Sequence, residues 1–465
     1  MTTGLPARVA ILGFARSGRA LARALADRKV ALSIGDARPR SGFAASAVEE
    51  LERRGARFFF DGPAMEFLEE AGWLAVSPGV ALDSPAVAAA RGRGIPILAE
   101  LEIAWRIAEQ QEPGKNRWVA VTGTNGKSTT TAWIAEILRR AGRPVALAGN
   151  IGVPLSTFLS DAGPRDFVCE VSSFQLEAIE RFRPHVAVVT NITPDHLDRH
   201  RDFEAYAQIK KRIFENQEAE DFAVVNAEDP GSREVETASR RVPFSRHRVP
   251  AGGVGVSEAW LVSEVRGARR QVLAREDLSL SGAHNVENAL AAVAAAECLE
   301  TPAEAIREGL VLFEGLPHRT QLVADSGAVA WVNDSKGTNV DATKKSLEGY
   351  PAGSVILILG GRDKHGDFSA LSGEVARAAR LVLTVGEAAE TIERALSGVV
   401  PIERAATMDR AVARAAALAR PGDTVLLSPA CASFDQYANF EERGEHFARL
   451  ARAASGNGKR ETGND

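Results

Sequence analysis

Short apolar runs alternate with stretches of helical periodicity along almost the whole chain. The opening "RVAILGFARSGRALARALADRKVALSIGD" reads as strand, glycine turn, helix, strand, and "WLAVSPG" and "IPILAE" look like later strands of the same sheet. Trp118–Val121 is a further apolar strand, followed by turn residues from Thr122 to Gly126. From about Ser128, Trp133, Ile134, Ile137 and Leu138 recur at helix spacing until Gly142 and Pro144 stop the run. "DFVCEVSS", "VAVVTNI" and "FAVVNAED" follow as strands, then an irregular β-rich stretch around 242–280 and the alanine-rich helix "NVENALAAVAAAECL". From about residue 317 the strands "AVAWVND", "SVILILGG", "LVLTVG" and "DTVLLSPA" alternate with helical segments. "EAYAQIKKRIFEN" reads as a helix with Tyr206, Ile209 and Ile213 on one face, Lys210 at its border and Lys211 further round.

This alternation predicts an α/β chain. The polar segment "EQQEPGKNR" marks a first boundary, and 465 residues suffice for about three domains. The expected division is a Rossmann-like domain over 1–110, a central P-loop mononucleotide-binding domain over 117–315, a C-terminal Rossmann-like α/β domain over 317–452 and a disordered polar tail over 453–465. A composition of 45% hydrophobic and 25% charged residues is ordinary for a globular protein. The net charge of -5 is scattered, which argues against a nucleic-acid partner. No apolar run approaches the roughly 18 residues of a membrane span, and the patch before Gly13 suits a strand better than a signal peptide. Cys169, Cys298 and Cys431 are odd in number and far apart, as in a reducing compartment. A soluble cytoplasmic monomer without membrane insertion is expected.

Polar turn-formers crowd the C-terminal ends of the strands: Asp36, Ser77-Pro78-Gly79, Glu170, Asn191, Asp334, Gly360-Gly361 and Ser428. In open parallel sheets that edge binds ligands. In "GTNGKST", Gly123, Thr124, Asn125, Gly126 and Thr129 offer backbone N–H groups at a helix start, Lys127 adds charge, and the Ser128 hydroxyl can reach Mg²⁺. The general phosphate loop carries a further glycine where this chain has Val121, which points to a narrower class. In "GFARSG", Ala15 replaces the middle glycine of a dinucleotide fingerprint, and its methyl hinders a pyrophosphate. A redox cofactor is disfavoured there; another nucleotide ligand, with Asp36 on its ribose, fits better. Glu170 suits a metal ligand beside the phosphate loop or an ordinary strand end. His196 is not the preferred partner of Mg²⁺, and Lys210 and Lys211 read as solvated lysines. Arg319, Lys336 and Lys364 lie on three loops and suit either an anionic intermediate or ordinary loop composition.

"GTNGKST", "GNIG", "EVSSFQLE", "NITPDHLDRH", "KKRIFEN", "SGAHNVENALAA", "GLPHR", "NDSKGTN", "GGRDK" and "SPACASFDQYANFEERGEHF" occur in the order found in the Mur ligases, and the missing glycine at Val121 is typical of that family. The resemblance runs from about Val9 to Leu450, and "EVSSFQLE" with the last motif is most similar to the members that add glutamate. It implies a cytoplasmic enzyme of peptidoglycan precursor synthesis that joins glutamate to UDP-N-acetylmuramoyl-L-alanine at the expense of ATP, through an acyl phosphate. It also implies catalytic roles for Lys127, His196 and Lys210. One Mg²⁺ is expected on Ser128 and Glu170, and a second near His196 and a carbamate formed by CO₂ on Lys210. ATP is expected on the phosphate loop with Asn285, Asn288, Arg319 and Asp334. The UDP part is expected at Arg16, Ser17, Asp36 and Ser77-Pro78-Gly79, the muramoyl part at Asn150, and glutamate at Lys336, Thr338, Lys364, Ser433 and Phe434. Ala37 stands where the glutamate-adding members carry a hydroxyl residue. Hinge closure is expected at "EQQEPGKNR" and "GLPHR". Sibling readings are another Mur enzyme or a folylpolyglutamate synthetase; readings from other classes are a Rossmann dehydrogenase or a nucleotide switch without catalysis.

Overall fold

A computed structural model describes residues 4–62, 65–160, 163–196, 199–280, 282–364 and 366–456. Among them the strands form three sheets. In the first, β1 (Arg8–Leu12), β2 (Ala31–Gly35), β3 (Arg57–Phe59), β4 (Trp73–Val76) and β5 (Ile97–Ala99) run parallel in the order β3-β2-β1-β4-β5. Helix α1 (Arg16–Asp27) follows β1, and α2 (Glu100–Gln111) follows β5.

The second sheet comprises β6 (Arg117–Thr122), β7 (Val145–Gly149), β8 (Asp166–Glu170), β9 (Val186–Val189), β10 (Phe222–Asn226), β11 (Arg240–Ser245), β12 (Val254–Ser257), β13 (Trp260–Ser263) and β14 (Arg270–Ala274). Its order is β14-β13-β12-β11-β10-β9-β6-β8-β7, with β12, β13 and β14 antiparallel as a meander. That meander is the β-rich stretch expected near 242–280. Strand β6 is buried on both faces beyond Arg117, which is why it reads as an unbroken apolar run. Helix α3 (Lys127–Arg140) leaves its end, α4 (Phe203–Lys211) lies across the strand edge, and α5 (Ala283–Cys298) packs its alanine face on α3.

The third sheet has β15 (Gln321–Asp325), β16 (Ala330–Asn333), β17 (Val355–Gly360), β18 (Ala379–Val385), β19 (Ile402–Ala406) and β20 (Thr424–Leu427) in the order β15-β16-β20-β17-β18-β19, parallel except for β15. Helix α6 (Val340–Leu347) follows β16, and α7 (Phe440–Ala454) closes the described chain. Helix α7 enters the stretch expected to be a disordered tail; residues 457–465 of that tail lie outside the described residues.

The two expected hinges differ. One buried apolar cluster runs from β1 through α2 to one face of the second sheet. The Glu102 carboxylate, fully buried, accepts the N–H groups of Glu180 (3.0 Å), Arg181 (3.1 Å) and Phe182 (2.8 Å) and pairs with Arg106 at 2.6 Å. Glu100 accepts both the N–H and the hydroxyl of Ser156 at 2.7 Å, and Asn116, within "EQQEPGKNR", donates to the Ala108 carbonyl. These bonds pin the first connection. The second carries left-handed backbone at Gly315 (φ 81), His318 (φ 63) and Thr320 (φ 44), the last two with side chains that disfavour it.

Candidate active site

Register delivers the first part of the site. Val121 of β6 pairs with Glu170 of β8 and with Val188 of β9, so Glu170 emerges beside the loop that follows β6. The loop is tight: a Cβ on Gly123 (φ 144) would lie 2.0 Å from Thr190 Oγ1, and one on Gly126 (φ 81) would lie 2.3 Å from Asn288 Oδ1. Only glycine admits that backbone and that approach. The Ser128 hydroxyl donates to Glu170 Oε2 and accepts from the Arg319 guanidinium. Asn150 Nδ2 donates to Glu170 Oε1 at 2.9 Å. Burial pushes the Glu170 carboxyl up, but Lys127 and Arg319 prevail and hold it below the usual range. Burial lowers the Lys127 ammonium, which donates to the Thr124 carbonyl at 2.8 Å.

The same cavity, about 240 Å³, is lined by Lys127, Asn150, Glu170, His196, Lys210, Arg319, Lys336, Thr338 and Lys364. His196 stands in left-handed backbone (φ 54) with its ring edge-on to Phe174 at 5.0 Å between centroids. Asp195 Oδ1 accepts the His196 N–H at 2.9 Å and lies 3.7 Å from the Lys364 ammonium. Lys210, expected at the border of its helix and solvated, is instead 2% exposed, and the buried face of α4 is Tyr206, Ala207 and Lys210 rather than one centred on Ile209. Its ammonium donates to the Gly123 carbonyl at 2.7 Å over the Tyr206 ring. Burial, then the Lys127 charge, lowers the Lys210 amine well below its ordinary value.

A hydroxyl and a buried carboxylate held ionised form a hard-oxygen donor set that suits Mg²⁺ when phosphate oxygens complete it. Near His196 the donors are fewer. Among the described residues no three His, Cys, Asp or Glu side chains converge.

Two more cavities flank this one. Asn285, Asn288, Arg319 and Asp334 line a pocket against the phosphate loop, joined by His284, Glu287, Lys345 and Ser346, which the motifs did not single out. Burial raises the Asp334 carboxyl to about 6 against the Ser428 hydroxyl, which donates to it at 2.8 Å. Arg16, Ser17, Asp36, Ser77, Pro78 and Gly79 line a third cavity of about 790 Å³ at the switch point between β1 and β4. There Asp36 is saturated: Oδ2 accepts the Phe14 N–H at 2.7 Å, Oδ1 the Arg38 N–H at 3.0 Å, and the Arg38 guanidinium forks onto both. Asp36 therefore shapes the glycine turn, and the donor facing the cavity beside it is Arg38.

Two of the residues expected around glutamate lie apart from the other three. Phe434 is 61% exposed, Ser433 is buried in the preceding turn, and neither lines the cavity that holds Lys336, Thr338 and Lys364. The aromatic ring beside Lys336 is that of Phe440, 3.9 Å from the ammonium. Loop 428–439 folds so that the later phenylalanine, at the start of α7, returns to the site.

The chain matches the Mur ligase MurD-like N-terminal domain over residues 7–99, the Mur ligase middle domain over 121–296 and the Mur ligase glutamate ligase domain over 318–431. It is 42% identical to a UDP-N-acetylmuramoylalanine--D-glutamate ligase of Acidobacterium capsulatum, over 97% of each chain. It belongs to the Mur ligase family. A second relative of that name, from Anaeromyxobacter dehalogenans, is 43% identical over 96% of this chain and 97% of its own. In three dimensions the Mur ligase architecture is shared with UDP-N-acetylmuramate-alanine ligase MurC of Thermotoga maritima (18% identical, 96% and 99% covered, TM-score 0.58). At that identity the likeness speaks for the fold alone. The α/β fold in three sheets is thus that of the Mur ligases, and no described helix is long and apolar enough to cross a membrane.

Sequence reasoning read Tyr206 only as part of a helix face and gave no role to Asp195, Phe174, Asn339 and Phe440. Asp195 was adjacent to a residue already singled out, but nothing in the spacing showed which of its neighbours it would meet.

Proposed function

We propose that this chain joins D-glutamate to UDP-N-acetylmuramoyl-L-alanine with cleavage of ATP to ADP and phosphate, in cytoplasmic peptidoglycan precursor synthesis, acting as a monomer. The observation that carries the reading is a single cavity between the second and third sheets that brings the phosphate loop, Glu170 and His196 within reach of Lys336 and Lys364. The names and 42% identity of the relatives support the amino acid over the sibling ligases.

In this reading the terminal carboxylate of the UDP substrate attacks the γ-phosphorus and ADP leaves, giving an acyl phosphate. Activation is needed because a carboxylate is a poor electrophile. The glutamate amine then attacks the acyl carbon, the tetrahedral intermediate expels phosphate, and one proton is released. Lys127 and the N–H groups of Gly123–Thr129 neutralise the β- and γ-phosphates, and Arg319 adds charge at the same oxygens. Asn285, Asn288 and Asp334 hold the nucleoside, and Asn150 meets the muramoyl part. Lys336, Thr338 and Lys364 hold the glutamate carboxylates and leave its amine free. Arg16, Ser17 and the Ser77–Gly79 loop take the UDP. Mg²⁺ would be held by Ser128 and Glu170, with a second ion near His196 and a Lys210 carbamate, and would supply charge screening on the phosphoryl oxygens. The lowered Lys210 amine fits the carbamate, since only a neutral amine adds to CO₂, forming the N–C bond and losing a proton.

The test is ATP-dependent phosphate release with UDP-N-acetylmuramoyl-L-alanine, run separately with D-glutamate, L-glutamate, meso-diaminopimelate and L-lysine. Release with D-glutamate alone is expected. Release that follows meso-diaminopimelate or L-lysine would move the chain to a sibling specificity, and no release with any would refute the reading.

A further inference from the structure

The first turn of α6 reaches out of the third sheet's layer onto two loops of the second. Asn339 caps the helix, its Oδ1 accepting the Ala342 N–H at 2.7 Å. The same amide donates from Nδ2 to Asp195 Oδ2 at 3.0 Å. Two residues on, Asp341 Oδ2 accepts from Asn125 Nδ2 at 2.6 Å and from Thr193 Oγ1 at 3.2 Å, with Lys345 at 3.4 Å one turn further along α6. Both receiving loops are part of the site. Asn125 is the third residue of the phosphate loop, and its backbone is gripped by Asn191 and Thr190. Asp195 anchors the His196 N–H and faces Lys364.

We propose that Asn339 and Asp341 are positioning residues that hold the C-terminal region shut over the phosphate loop and set Asp195 and Asn125 in register as it closes. Neither side chain is needed for the chemistry as such; both act through residues that are. What closure assembles rests on the ligase reading above, but the contact itself does not. The third sheet joins the second through the stretch with left-handed backbone at Gly315, His318 and Thr320, so any closure of the third sheet over the phosphate loop turns on that connection. Contacts that cross between the two regions therefore decide how much of the population is closed.

The double duty of Asn339 gives a sign-specific test. Asn339→Asp keeps a good helix cap, but turns the donor facing Asp195 into a second carboxylate at hydrogen-bond distance, where like charges repel. Adding Asp195→Asn restores a donor and acceptor with the roles exchanged. Small-angle X-ray scattering of the full chain with a non-hydrolysable ATP analogue reads closure whichever amino acid is the substrate, so it can fail independently of the ligase reading. The wild type is expected compact. Asn339→Asp is expected to lose about tenfold in its closed-to-open ratio, the size of one lost charged hydrogen bond, and Asn339→Asp with Asp195→Asn is expected to regain it. Asp341→Ala, which leaves the cap and Asp195 untouched, is expected to open the molecule by the independent contact, while Asp341→Asn, which keeps an acceptor, opens it less. In the ligase assay Asn339→Asp should lower kcat far more than it raises the KM for the UDP substrate, whose UDP part sits in the cavity of the first sheet. Variants as compact as the wild type, or a double variant as open as the single, would overturn the proposal.

Discussion

Lys336 gives the sharpest quantitative test of the glutamate assignment. Its ammonium lies 3.9 Å from the Phe440 ring centroid in the cavity it shares with Arg319, and burial, then the Arg319 charge, lowers it to about 8. The charge that would hold a carboxylate is therefore present at neutral pH and lost as pH rises through about 8. If the anion binds only the charged form, the apparent dissociation constant grows as one plus ten to the power (pH minus pKa). That is negligible at pH 7, about twofold at pH 8 and about tenfold at pH 9. Glutamate itself confuses the measurement, because its own amine loses a proton in the same range. Glutarate has both carboxylates and no amine. Its inhibition constant against glutamate, taken from pH 6.5 to 9.5 at saturating ATP and UDP substrate, isolates the lysine. Lys336→Arg, whose guanidinium stays charged throughout, should bind glutarate with no such rise. A wild-type constant that stays flat to pH 9 would refute the reasoning, because either the lysine is not depressed or it does not carry the carboxylate.

Lys364→Ala should raise the KM for glutamate far more than that for ATP in the phosphate-release assay; equal increases would argue against placing glutamate there. Activity should fall in CO₂-depleted buffer and return with added bicarbonate, as a carbamate on Lys210, whose amine burial lowers well below its ordinary value, requires; a loss that bicarbonate does not reverse would count against it. Glu102→Ala leaves the backbone N–H groups of Glu180, Arg181 and buried Phe182 without their acceptor, and Arg106 with Glu180 alone. It should cost about 3–5 kcal/mol in urea unfolding and make the 110–116 connection protease-sensitive; a cost under about 1 kcal/mol would mean that water replaces the carboxylate readily.

Much of the fold was legible because its signals are local. The apolar period changes from strand to helix within "WVAVTGTNGKSTTTAWIAEIL", and that contiguous stretch is enough to mark a phosphate loop at a helix start. Glu170 and Asn191 were legible as strand-end residues for the same reason. The resemblance of ordered motifs then assigned a chemistry that no single motif could.

What stayed hidden depends on distances that chain spacing does not set. Asn125 meets Asp341 across 216 residues, and that contact exists only because one sheet is folded onto another. Lys210 looked solvated because helix phase shows which residues share a face, whereas what covers that face belongs to another part of the chain, here the Gly123 carbonyl. Asp36 looked free to hold a ribose, and its four donors became visible only when Phe14 and Arg38 were placed around it. The same holds for Phe440, which reaches Lys336 while Phe434, nearer in sequence to the motif's start, faces solvent. Periodicity and turn chemistry are properties of a few neighbouring residues, so the sequence alone determined the elements and their edge chemistry. Burial, pairing and the depressed lysines arise from long-range packing, and only the tertiary structure decided those.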